Sequence, residues 1–360
     1  MEAAAVVAAV AAAVTDMSRK HRILLQFHIT GRCNLRCKHC YRTEGDVQPL
    51  STEDIISVIE QFKALREEYN RVHGICAKGH INLTGGEPFF RDDILRILQY
   101  MGENEAYFSY GILSNGSFID DEMIFLLKET KVSFVQLSID GDRATHDALR
   151  ASGDYDRVLD TAEYLEKNGI RTYISFTANR ENYRHLPEVA RQCRKRRITK
   201  LWSDRLVPIG NGEELSALAI TPEVIDDYIK TLKKAQGNFL VRRLYPKTQV
   251  TMNRALQFLH SDGAVYSCSA ADSLITVDEF GTVMPCRRMP INCGNVRTST
   301  LKEIYFGHKT FLRLREKYIP KECAHCKHAN LCRGGAKCQC YARYGAFWRA
   351  DPACRLAERA

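Results

Sequence analysis

No stretch of the 360-residue chain is apolar for long enough to cross a bilayer, which excludes a membrane-spanning helix. Residues 2–14 are rich in Ala and Val, but the run is short, carries Glu2 and lacks the basic leading region of a secretory signal. The cytoplasm is the expected compartment. Residues 1–20 read as a disordered or mis-assigned extension, with Met17 as an alternative start. A strong charge bias is also missing: the net +9 is moderate for this length. Its densest run, Arg191 to Lys200 with Arg194, Lys195, Arg196 and Arg197, fits the solvated end of a helix better than a nucleic-acid or acidic-peptide surface. Neither a membrane nor a nucleic acid is an expected partner. What the chain has in excess is cysteine, with 14 residues. Disulfides suit small secreted domains; in a long chain without an export signal, metal ligation is the stronger reading.

Cys33, Cys37 and Cys40 stand as Cys-x3-Cys-x2-Cys directly after an alternating segment. In that segment Leu25, Phe27 and Ile29 interleave with Gln26, His28 and Thr30, the period of a strand. Three thiolates on one short loop suit three irons of a cubane cluster and leave the fourth iron to a small chelating molecule. A zinc knuckle is the rival, with His39 as the nearest fourth ligand, although zinc normally takes paired Cys-x2-Cys or His units.

These cysteines resemble the cluster motif of the radical S-adenosylmethionine (SAM) enzymes, and further motifs follow in the family's order. Gly85-Gly86-Glu87-Pro88 is similar to its GGEP, which meets the SAM amino group. Ser114-Asn115-Gly116 sits where its third strand ends. Ser138-Ile139-Asp140-Gly141 resembles its fourth-strand motif, and His146-Asp147 with Arg150 resembles the HD-x2-R that follows. The resemblance implies a [4Fe–4S] cluster on Cys33, Cys37 and Cys40 whose open iron binds SAM. It implies SAM contacts from Gly85, Gly86, Glu87, Ser114, Asn115, Ser138, Asp140, Arg150 and Asn179. Glu87 would orient the amino group, Ser138, Asp140 and Asn179 would hold ribose or carboxylate, and Arg150 would pair with a carboxylate. Reduced SAM would yield a 5′-deoxyadenosyl radical that removes hydrogen from an unactivated carbon.

Strand patterns at 22–30, 79–84, 106–113, 132–139, 171–178 and 199–206 alternate with helical ones. Start signals mark the helices, notably Ser51 as an N-cap and Thr221 with Pro222 in the first turn. This is an α/β pattern and resembles the family's partial (β/α)6 TIM-type barrel, spanning 21–238, with a lateral mouth for a large substrate. Arg205, Pro208 and Gly210 resemble its substrate-facing loop. After residue 239 helical periodicity fades, and nine cysteines fall between Cys268 and Cys354.

That region, 239–360, resembles the SPASM extension, which carries auxiliary iron–sulfur clusters. By resemblance Cys323, Cys326, Cys332 and Cys354 hold one cluster, and Cys268 and Cys286 begin another. Ala336 stands where the pattern usually has a further cysteine. Cys338 and Cys340 are the replacements, Cys293 is another, and an open iron is the alternative. Cys76 and Cys193 read as lone cysteines without a role, and Phe347 and Trp348 as core.

Sulfatase maturases resemble each other in an aspartate base after the second of these cysteines, whereas Arg287 follows Cys286 here. The resemblance therefore implies a maturase of ribosomally made precursor peptides, installing a thioether or carbon–carbon crosslink. A separate leader-binding protein and a reductase with flavodoxin or ferredoxin would be its partners. Another SPASM oxidase, a sulfatase maturase or a cofactor-pathway enzyme acting on a peptide or tetrapyrrole, is the alternative. A non-catalytic iron–sulfur or zinc protein that binds nucleic acid through its +9 charge is the reading from a different class.

Overall fold

The computed structural model describes residues 22–42, 50–260, 265–316 and 318–357. The Ala-rich extension, residues 1–20, lies outside the described residues. Six strands in chain order lie side by side and parallel: β1 (Leu24–Thr30), β2 (Gly79–Gly85), β3 (Phe108–Leu113), β4 (Val135–Ser138), β5 (Thr172–Ala178) and β6 (Lys200–Arg205). Each matches one sequence segment within a few residues. β7 (Gln249–Thr251) extends the sheet beyond β6. β8 (Leu274–Val277) pairs parallel with β1, and β9 (Val283–Met284) pairs antiparallel with β8. The order β7-β6-β5-β4-β3-β2-β1-β8-β9 is open, which confirms the partial barrel.

The alternation along β1 separates two environments, both of them dry. Leu25, Phe27 and Ile29 are fully buried and share one core with Ile55, Ile59 and Phe62 of the helix Thr52–His73. Gln26, His28 and Thr30 are buried as well. Gln26 and His28 line cavities inside the curved sheet. The polar face of each strand is the lumen, where a β/α barrel keeps its chemistry.

Ser51 caps the helix Thr52–His73 in a capping box with Asp54, as its sequence foretells. At Thr221 the outcome differs. Its carbonyl accepts from Val224 and Ile225 in an entry turn, and the helix itself runs Ile225–Gln236. Proline at 222 starts the turn, and the regular helix follows once that turn is complete. Among the described residues no helix is long and apolar enough to cross a membrane.

One buried ion pair ties the barrel to the C-terminal segment. Arg205, at the end of β6, makes two hydrogen bonds to Asp351, at 2.8 and 2.6 Å. Asp351 also accepts from the backbone N–H of Ala336 and of Ala353. Removing one partner of a buried pair leaves a charge with no answer nearby. Arg205→Met is expected to cost about 3 kcal/mol or more in urea unfolding, and the double variant Arg205→Met/Asp351→Leu to recover much of that loss.

Candidate functional site

The loop after β1 is held by main-chain contacts. Gly86 N–H donates to the Thr30 carbonyl and Glu87 N–H to the Arg32 carbonyl, both at 2.8 Å. A Cβ on Gly86 would lie 2.1 Å from the Arg32 oxygen, so only glycine permits this approach. Lys38 N–H donates to the Leu149 carbonyl at 2.9 Å, and Gly212 N–H to the Cys40 carbonyl at 3.0 Å. Thus gripped, Cys33, Cys37 and Cys40 all line one cavity of about 240 Å³.

Gly85, Gly86, Glu87, Ser114, Asn115, Ser138 and Arg150 line the same cavity. Asn115 Nδ2 donates to Cys33 Sγ at 3.9 Å and Arg150 Nη1 to Cys37 Sγ at 3.8 Å. Burial pushes the Cys33 thiol up and the Cys37 thiol up to about 11. Metal binding here must therefore displace protons. Asp140 and Asn179 do not line this cavity; their side chains are engaged by neighbouring residues. Asp140 is fully buried on Arg150 Nε at 2.7 Å and His39 Nε2 at 3.3 Å. Although burial opposes it, Arg150 and then His39 hold its carboxyl well below the usual range. Asn179 Oδ1 accepts from the backbone N–H of Glu181 and Asn182, closing its own turn. The HD-x2-R residues build the scaffold behind Asp140. His146 Nδ1 accepts from the Asp140 N–H, so Nε2 carries the proton facing Asp154 at 3.0 Å. Asp147 caps the next helix through Gly153 and Tyr155.

Glu87 is fully buried and accepts from Ser114 Oγ at 2.8 Å and from the N–H groups of Asn115 and Phe89. Among the described residues it has no cationic partner, and burial pushes its carboxyl up to about 7. A cavity-lining carboxylate raised in this way suits a cationic ligand group.

Beyond the residues singled out by motif, Tyr41, Arg42, Gln136, Trp202, Asp204, Arg287 and Arg288 share this lining. Gln136, Trp202 and Asp204 occupy inward positions of β4 and β6, so strand alternation carries their signal. Tyr41 and Arg42 directly follow Cys40, and Arg287 and Arg288 follow Cys286. Tyr41, Arg42 and Arg287 also border a much larger cavity of about 1290 Å³, which Pro208 and Gly210 face. Arg205 lies behind that loop on Asp351.

Cys268, Cys286 and Cys338 line a third cavity of about 310 Å³, together with Ala336. Cys340 does not: its Sγ lies among the carbonyls of Gly334, Ala336 and Arg349, with that of Arg349 nearest at 3.2 Å. Both lie on the helix Lys337–Tyr344, where residues two apart face different sides, so the expected pair supplies one thiol to this cavity. Cys293 is buried elsewhere, with Sγ on the Ile291 carbonyl. Cys323, Cys326, Cys332 and Cys354 surround a small cavity of about 20 Å³. Phe347 is buried, whereas Trp348 is 40% exposed beneath the Arg313 guanidinium, which corrects its reading as core.

Among the described residues no three His, Cys, Asp or Glu side chains converge as ligands of a single metal ion. Thiolates that each take a separate iron of a cluster stand farther apart than the ligands of one tetrahedral zinc. His39, the nearest fourth ligand for a zinc knuckle, has turned its Nε2 to Asp140.

A parallel open barrel with cysteines at the C-terminal end of its first strand, followed by a cysteine-rich segment, defines a class. Residues 27–193 match the radical SAM superfamily, and residues 268–327 match SPASM, an iron–sulfur cluster-binding domain. The chain is a radical SAM enzyme with a C-terminal SPASM domain, and its cofactors are a [4Fe–4S] cluster, SAM and auxiliary iron–sulfur clusters. It is similar to Fe-coproporphyrin III synthase of Methanosarcina barkeri, 26% identical over 381 residues, covering 95% of this chain and 90% of that one. It is also similar to mycofactocin maturase MftC of Mycolicibacterium smegmatis, 27% identical over 332 residues, covering 87% and 77%. Streptococcus suis SuiB, solved bound to precursor peptide SuiA, shares the fold with a TM-score of 0.67 at 15% identity, covering 97% and 79%.

The raised carboxyl of Glu87 has a consequence for stability. Between about pH 4.5 and about pH 7 the folded state holds a proton that the unfolded chain has released, so stability falls as pH rises through that window, by about 3 kcal/mol at most. Glu87→Gln is expected to flatten this slope in urea midpoints measured from about pH 5 to about pH 8.

Proposed function

We propose that this radical SAM/SPASM enzyme acts in cofactor biosynthesis, modifying a large carboxylate-bearing macrocycle of the tetrapyrrole class. The carrying observation is the cavity of about 1290 Å³ that shares Tyr41, Arg42 and Arg287 with the cysteine-lined cavity. Its walls mix aromatic rings (Tyr41, Phe280, Tyr341 and Tyr344) with charges of both signs; the rings suit a flat macrocycle, and Arg287, which has no ion-pair partner among the described residues, suits an acidic group on it. The likeness to Fe-coproporphyrin III synthase over nearly the whole chain supports the same substrate class.

In this reading Cys33, Cys37 and Cys40 hold the SAM-binding cluster, and Glu87 takes the SAM ammonium. Cys323, Cys326, Cys332 and Cys354 hold one auxiliary cluster; Cys268, Cys286 and Cys338 supply thiolates to the other. The division between barrel and SPASM segment falls near residue 238. When bound and reduced, the SAM centre supplies a carbon radical strong enough to remove hydrogen from an unactivated carbon. The chain's own part is to orient and to exclude water. Asn115 and Arg150 direct N–H groups at the sulfurs, and the loop around Gly210 packs over the cysteine segment. A reductase with flavodoxin or ferredoxin is the proposed electron source.

A second reading, oxidative modification of a precursor peptide, is favoured by the likeness to the mycofactocin maturase. A thioether crosslink belongs to that reading.

Two experiments test these assignments. Iron counting on reconstituted variants is expected to show Cys338→Ala lacking about one cluster's iron and Cys340→Ala matching wild type; the reverse pattern overturns the ligand assignment. Anaerobic incubation with SAM, reductant and, in separate reactions, carboxylate-bearing tetrapyrroles (iron coproporphyrin III and less oxidised precursors of it) is expected to give SAM-dependent mass change in one of them together with 5′-deoxyadenosine, both absent in Cys33→Ala. Unchanged tetrapyrroles, alongside a neighbouring-gene peptide that loses a pair of hydrogens, select the second reading.

A further inference from the structure

We infer that Arg287 is a specificity-determining residue: its guanidinium takes a carboxylate of the substrate and fixes that group where the large cavity meets the cluster cavity. The inference rests on the proposed carboxylate-bearing substrate and extends it to a named contact.

Position is the first ground. Arg287 is the one residue common to the cavities of about 1290, 240 and 310 Å³. A group bound there touches the space for a large substrate and the space beside Cys33, Cys37 and Cys40 at once.

Pairing is the second. Around these cavities Arg42 is matched by Glu279, Arg150 by Asp140 and Arg288 by Asp204. Arg287 has neither a carboxylate nor a hydrogen-bond acceptor among the described residues. It rests over the Tyr41 ring at 5.4 Å, with Arg288 and Arg254 as same-sign neighbours. A half-buried guanidinium held among like charges, with no acceptor within hydrogen-bond reach, gains when an anion joins it.

Arg254 provides the contrast. It makes no ion pair among the described residues either, but against burial it helps Arg288 hold the Asp204 carboxyl low, so a carboxylate answers its charge, and it borders only the cavity of Cys268, Cys286 and Cys338. Arg287 alone of the two reaches the large cavity. In that space a carboxylate accepts the guanidinium's parallel N–H groups in bidentate fashion, which an ester cannot do with comparable strength.

The test compares iron coproporphyrin III with its methyl ester, titrated by absorbance against the reconstituted holoenzyme. Wild type is expected to prefer the acid by about tenfold or more, Arg287→Gln to erase the preference, and Arg287→Lys to restore part of it. An intact preference in Arg287→Gln overturns the inference. So does a variant whose only defect is weaker SAM binding or an altered auxiliary-cluster EPR signal. If wild type binds neither porphyrin form, the macrocycle reading fails, and a short peptide acid and its C-terminal amide are compared in the same way. Acid preference lost in Arg287→Gln then keeps the anchor for a peptide carboxylate; no preference in either pair overturns the anchor too.

Discussion

The three cysteines after β1 reach a common cavity because backbone grips backbone at both ends of their loop. On one side the β2 terminus presses into it, with Gly86 and Glu87 donating to the Thr30 and Arg32 carbonyls. On the other, the connection after β6 closes down, and a Cβ on Gly210 would lie 2.5 Å from the Tyr41 carbonyl carbon. Neither contact leaves room for a side chain. The order of motifs along the chain follows from this constraint: each strand end contributes one clamp or one polar group to the same rim, so the motifs recur at strand spacing.

Within the rim, charge is matched almost everywhere. Arg42, Arg150, Arg205 and Arg288 each face a carboxylate. Two charged groups lining the cluster cavity are exceptions of opposite sign, Glu87 and Arg287. Burial pushes Glu87 up and Arg287 down, so each is drawn toward its neutral form. A fold that answers its other buried charges so consistently keeps such a pair where ligands supply the missing partners. Glu87 thereby suits an ammonium and Arg287 a carboxylate. The pairing of Arg150 with Asp140 also explains why Arg150 serves the sulfur of Cys37 and the scaffold together.

Much of this was legible in the sequence, and the gaps have physical causes. β1 to β6 carry enough residues for alternation or apolar bias to register. β7 and β9 have three and two residues, too few for any period to stand out, and β8, as short as β4, is apolar but for Thr276 and shows no alternation. The polar residues of β1 were legible as one face, but not that this face is as dry as the other. Cys33, Cys37 and Cys40 were legible because one loop sets their spacing. The choice between Cys338 and Cys340 was not, since it depends on the helix Lys337–Tyr344 and the direction each thiol takes from it. Asp140 and Asn179 sit in motif positions, yet their side chains are committed to Arg150 and to a local turn. A motif reveals that a residue type is needed there without revealing what the side chain holds.

The surroundings of Ala336 and Cys338 show how firmly the SPASM segment is referenced to the barrel. Ala336 N–H donates to Asp351 at 3.1 Å, and Asp351 is the partner of Arg205. Asp351 also borders the cavity of Cys323, Cys326, Cys332 and Cys354, and its carbonyl accepts from Cys354 N–H at 2.9 Å. One carboxylate thus fixes the start of the helix that carries Cys338 and the turn that carries Cys354, both against the end of β6. The residue before Arg205 is Asp204, which reaches Arg288 beside Cys286 at 3.0 Å. Two consecutive residues of one barrel strand therefore set the position of both auxiliary cysteine groups. With the helix start anchored in this way, the Cys338 thiol faces the cavity shared with Cys268 and Cys286, while Cys340 is directed onto carbonyl oxygens.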